Sequence, residues 1–168
     1  MANRRGGLRS GPPRRWVYPA AVTPRTGSAS ADRDIFCQIA SGELPAAVVA
    51  RTSELVAFLD HRPVFKGHVL IAPVQHVDTL LDLPEPLMTP LLTLAARVAT
   101  ALGSELGAQG TFVAMNNVVS QSVPHLHLHV VPRTKGDGLK GFFWPRTNYG
   151  AAEAADHAAR LRAALSSA

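Results

Sequence analysis

One cysteine, Cys37, stands among 168 residues, which rules out a disulfide within the chain and suits a reducing compartment. No run of apolar residues approaches the ~20 needed to span a bilayer, and the N-terminus lacks the apolar middle of a secretory signal. A cytoplasmic protein with no membrane partner is therefore expected. The charge of +5 is unevenly spread: residues 1–31 contain no acid and hold six of the 17 basic residues. That leaves 11 basic against 12 acidic groups in residues 32–168, so the remainder of the chain is nearly neutral and nucleic acid is not expected as a partner.

Residues 1–31 are rich in Gly, Pro, Ser, Ala and Arg with no sustained apolar period, the composition of a disordered tail. Residues 32–168, with apolar residues making up 46% of the whole chain, are expected to form one domain. Asp32 is placed to cap a short helix through Ile35, Phe36 and Ile39 that stops at Ser41-Gly42. Runs at Ala47–Arg51 and Leu55–Asp60 suggest a hairpin, and His68–Pro73 a third strand. From Glu85, Leu87, Leu91, Leu94, Ala95, Val98 and Leu102 recur at helical spacing up to Gly103. Thr111–Met115 and Pro124–Val131 complete five strands, and residues 151–165 form an alanine-rich helix with Leu161 and Leu165 on one face. Runs of strands with segregated helices define an α+β class: a five-stranded antiparallel sheet, a short first helix, one long helix and a C-terminal helix.

Within the last strand lies the most informative string, His125-Leu126-His127-Leu128-His129. Alternate side chains of an extended segment leave on one face, so the three imidazoles should form a row while Leu126, Leu128 and Val130 face a core. Three rings buried without partners would each cost about 1–3 kcal/mol, so their spacing points to chemistry instead. Neutral imidazole serves as base, nucleophile and metal ligand.

This string, with Ile35-Phe36-Cys37-Gln38-Ile39, Gly42-Glu43-Leu44-Pro45, Ala57-Phe58-Leu59-Asp60, Gly67-His68-Val69-Leu70 and Gln121-Ser122-Val123-Pro124, resembles the histidine triad (HIT) superfamily over roughly residues 34–133. The wording around Arg62-Pro63-Val64 leans towards its fragile histidine triad branch. The resemblance implies a homodimeric hydrolase or transferase acting on a purine nucleotide conjugate, a dinucleoside polyphosphate or a nucleoside phosphoramidate, through a covalent nucleotidyl-histidine. It assigns His127 as nucleophile, His125 and His129 as flanking donors, and His68 as the ring that orients the nucleophile. Asp60 would hold the ribose, Asn116, Gln121 and Ser122 the phosphates or leaving group, and Phe36 the base. An imidazole of ordinary pKa, about 6.5, can attack phosphorus without a strong base.

No Walker-type glycine loop is present, nothing demands a cofactor, and no metal is expected. Many bacterial members of the superfamily carry a pair of cysteines for zinc where this chain has Asp34 and Cys37, with His76 as a further candidate. Two rival functions fit the same residues: a non-catalytic nucleotide sensor or scaffold, and a protein that processes adenylated DNA ends with its basic tail. The stretch 138–146, with Lys140 and Arg146, is a further candidate to cover a polyphosphate site.

Overall fold

The computed structural model describes residues 34–139 and 148–166. The tail expected at 1–31 and the basic aromatic stretch around Lys140 and Arg146 lie outside the described residues. The chain divides into two units, Met1–Arg133 and Thr134–Ala168.

The first unit opens with α1 (Ile35–Ser41), capped by Asp34. Its Oδ1 accepts from the N–H groups of Phe36 at 2.8 Å and Cys37 at 3.0 Å. The cap expected of Asp32, which lies outside the described residues, is made by Asp34. Gly42 ends the helix at φ 82°, a left-handed conformation that suits glycine, as expected. Arg51 then ties the hairpin to this helix end, its guanidinium donating to the carbonyls of Ala40 and Ile39.

Strands β1 (Val48–Arg51), β2 (Leu55–Leu59), β3 (Val69–Pro73), β4 (Gly110–Ala114) and β5 (Leu128–Arg133) form one antiparallel sheet in the order β1-β2-β3-β5-β4. Between β3 and β4 run a 3-10 turn (Leu80–Asp82), closed by a Thr79–Asp82 capping box, and the long helix α2 (Glu85–Leu106). α2 continues through Gly103, where the sequence suggested a stop, to a left-handed Gly107 at φ 68°. Glycine inside a helix costs only about 1 kcal/mol, which the buried turn at Leu102 outweighs.

Period-two alternation gives the sheet two different faces. Leu55, Ala57, Val69, Ile71, Leu128 and Val130 point to one side and pack with Leu91, Leu94, Ala95, Val98 and Leu102 of α2. Val56, Phe58, Leu70 and Ala72 point to the other and pack with Phe36, Ile39 and Ala40 of α1. Although α2 is long and apolar enough to cross a membrane, this buried stripe makes it the core helix of the sheet. Gly67, at φ 97°, lets the loop before β3 pass under α2, where an added Cβ would lie 2.7 Å from Leu106.

In the second unit, α3 (Glu153–Ser166) occupies the place expected of the terminal helix. Glu153 accepts from the Gly150 N–H at 2.7 Å at its start, and Leu161 and Leu165 are exposed.

Candidate functional site

β5 begins at Leu128, four residues later than the sequence suggested, so of the three histidines only His129 lies in the sheet. His125 and His127 sit in the extended segment that enters it. His129 pairs with Leu70 and Ala114, which sets it on the α1 face of the sheet. His127 shares that face, its ring 5.0 Å from Phe36 and 4.9 Å from His129. An apolar groove lined by Val49, Leu59, Leu94, Val98 and Leu106 lies on the opposite, α2 face, away from the imidazoles.

The row is not uniform. His127, 3% exposed, has Nδ1 2.7 Å from the carbonyl of His125. A carbonyl only accepts, so Nδ1 carries the proton and Nε2 is left with its lone pair. His125 is fully buried, and both of its nitrogens turn away from His127. Its Nε2 donates to the Pro73 carbonyl at 3.0 Å, and Nδ1 lies 3.3 Å from both oxygens of Asp34. His125, expected as a flanking donor, thus meets Pro73 and Asp34 where the chain bends before becoming a strand.

His68, expected to orient the nucleophile, places its Nε2 3.0 Å from Nδ1 of His129. Asp60, expected at the ribose, faces this pair: Oδ2 lies 3.3 Å from His68 Nδ1, and Oδ1 accepts from the Arg62 N–H at 2.9 Å. Phe36, expected to wall the base, is a buried core ring set edge-on against Phe58 and the imidazoles.

The polar loop between β4 and β5 is stitched to itself and to the turn before α2. Gln121 donates to the Asp78 carbonyl at 2.6 Å and accepts from the Val118 N–H at 2.8 Å. Asn116 donates to the Ser120 carbonyl, and Asn117, given no separate role by sequence, accepts from the Leu80 N–H at 2.7 Å. These bonds hold Val118 and Ser120 at φ 66° and 62°, strained for a β-branched residue in particular. Asn116 and Gln121, expected at the phosphates or leaving group, make these loop bonds, and Ser122 is exposed.

Burial holds the imidazoles of His68 and His129 neutral. For His129, burial first and then the neighbouring rings of His127 and His68 depress the pKa from 6.5 to about 4. For His68, burial outweighs Asp60 and lowers it. Below pH 6.5 the unfolded chain takes up protons that the folded chain refuses, so stability present above that pH is lost as pH falls towards 4. The melting temperature at pH 5 should lie at least about 3 °C below that at pH 7.5. A flat profile between those values, followed by calorimetry, would contradict the burial of these rings.

A second cluster adjoins the first. Ligand atoms of Asp34, Cys37, His76 and His125 all lie within 4.8 Å of one another. The Cys37 thiol donates to Asp34 Oδ2 at 3.1 Å, and His76 Nδ1 lies 2.9 Å from the same oxygen. Asp34 divides its work, with Oδ1 on the helix cap and Oδ2 facing the cluster. Burial alone would raise its pKa, but the Cys37 thiol and the N–H groups of Cys37 and Phe36, with His125 alongside, bring it down to about 2. One thiolate, one carboxylate and two imidazoles suit a divalent ion such as zinc. Sequence alone spoke against a metal since only one thiol remains. The start of α1 restores a donor, bringing Asp34 and Cys37 to one turn.

An α+β sheet that presents buried, hydrogen-bonded imidazoles beside a loop of polar groups defines a class of histidine-centred proteins, and comparison with known proteins places the chain within it. A profile of the HIT domain matches residues 41–136, and the chain belongs to the HIT family. An adenosine 5'-monophosphoramidase of Schizosaccharomyces pombe is 34% identical over 113 residues, covering 66% of this chain and 82% of that protein. A HIT family member from Bacillus subtilis superposes with a TM-score of 0.71 at 30% identity, covering 78% of this chain and 96% of that one. A zinc-bound histidine triad family protein from Mycobacterium smegmatis gives 0.61 at 35% identity, covering 68% and 83%.

Proposed function

We propose that this chain is a nucleotide hydrolase that cleaves a purine nucleoside phosphoramidate at its α-phosphate through a covalent nucleotidyl-His127. The tautomer of His127 carries this reading: Nδ1 held by the His125 carbonyl leaves Nε2 as the attacking nitrogen. Similarity to monophosphoramidases favours the phosphoramidate over a dinucleoside polyphosphate. His129, whose Nδ1 faces His68, directs its Nε2 to the phosphate or leaving group. Ser122, an exposed hydroxyl of the loop, would meet the same phosphate. Asp34, Cys37, His76 and His125 would hold a zinc ion, which when bound fastens α1 to the segment entering β5. The open edge of the sheet at β4, with Val113 exposed, supports a homodimer.

Purified protein incubated with adenosine 5'-phosphoramidate is expected to release AMP and ammonia and to carry labelled AMP after rapid denaturing quench. Tight binding of AMP without product over hours would instead identify a nucleotide sensor.

A further inference from the structure

We propose that the apolar groove on the α2 face is a docking site for this chain's own segment Trp16-Val17-Tyr18, which would clasp the domain from the side opposite the imidazoles. α2 packs over β3, β5 and β4, while β1 forms one edge of the sheet, so the flank of α2 beside β1 lies open among the described residues of the first unit. The groove there has a volume of about 440 Å³. Leu94, Val98 and Leu102 make its buried floor, whereas Val49, Leu59 and Leu106 on its rim are 52%, 39% and 60% exposed. A contiguous apolar rim of this kind marks a contact surface, because water is its least favourable neighbour.

The occupant follows from the chain that precedes Asp34. Its aromatic residues are Trp16 and Tyr18, with Val17 between them, in a stretch otherwise rich in Gly, Pro, Ser, Ala and Arg. An indole and a phenol each bury about 150–250 Å² with few rotamers to fix, which suits an apolar groove. Charge sets the direction. Glu105 and Arg97 both line the groove, about 12 Å apart along α2. Arg14 and Arg15 stand directly before Trp16, and residues 1–31 contain no acid. With Arg15 at Glu105, Trp16 meets Leu102 and Leu106, and about 10 Å of extended chain brings the Tyr18 ring beside Arg97. The segment then runs antiparallel to α2, towards the end where the described chain begins: Asp34 meets His76, in the stretch that leads through Leu80–Asp82 into α2. The connection is long enough. Twelve residues lead from Val22 to Asp34 and can span about 40 Å, against about 18 Å along α2 from Arg97 to Glu85 and about 10 Å from one face of the sheet to the other. A tether of this length keeps the segment at an effective concentration of about 1 mM, which favours it over a separate partner.

The test uses the full chain carrying Trp144→Phe, which leaves Trp16 as its one tryptophan. Adding Ala101→Glu, which puts a carboxylate into the lining of the groove, should raise the acrylamide quenching of Trp16 emission at least about threefold. Val49→Glu, from the opposite wall on β1, should do the same and serves if Ala101→Glu does not fold, as judged by a cooperative melting transition. Equal quenching in the parent and in the folded groove variants would overturn the proposal, since the indole would then lie in solvent or against another surface. Protection that is lost on roughly hundredfold dilution would overturn it as well, because the groove would then hold the segment of a second copy, whose binding depends on concentration where a tethered one does not. Protection that survives dilution and is removed by either groove variant is the expected result.

Discussion

Alanine in place of His127 should reduce turnover of the best nucleotide substrate to below about one-hundredth of wild type, about 2.7 kcal/mol of transition-state stabilisation. The His125 carbonyl occupies Nδ1 of this ring at 2.7 Å, which leaves the Nε2 lone pair for attack. The loss should fall on kcat, with KM little changed, because His129, Ser122 and the loop remain. Labelled AMP should no longer stay with the denatured protein. Turnover above one-hundredth would remove His127 from the nucleophile's role.

The second large effect separates His125 from its neighbour. Alanine there should destabilise the fold by about 3 kcal/mol, read as a lower denaturant midpoint, because a fully buried ring is lost and the Pro73 carbonyl and Asp34 carboxylate lose their partner. Zinc bound per chain, measured by elemental analysis after dialysis against the metal, should fall to near zero. The carbonyl that orients His127 belongs to the backbone and survives the substitution. Turnover of the folded variant should therefore fall less than about tenfold. Loss of activity as deep as that of His127→Ala, with stability unchanged, would favour the flanking-donor role that the family resemblance implies.

Much of the fold was legible because its signals are local. The apolar period of Leu91, Leu94, Val98 and Leu102 marks α2, and the alternation in Leu55–Leu59 and Val69–Pro73 marks paired strands. Gly42 announces the end of α1 by its own conformational freedom. The bends were not legible: an extended segment and a strand share one alternation, and ladder bonds alone decide that β5 starts at Leu128.

For the site, the histidine spacing by itself singled out the imidazoles as candidates for chemistry, and together with the flanking stretches it carried the resemblance to the HIT family. Which nitrogen His125 and His129 leave open depends on partners far away in sequence, Pro73 for the first and His68 for the second. Only the tertiary structure gives three similar residues different partners: the His125 carbonyl for His127, Pro73 and Asp34 for His125, and His68 for His129. It does so because an imidazole's role follows from what holds its other nitrogen, and sheet pairing and the placement of α1 supply those partners.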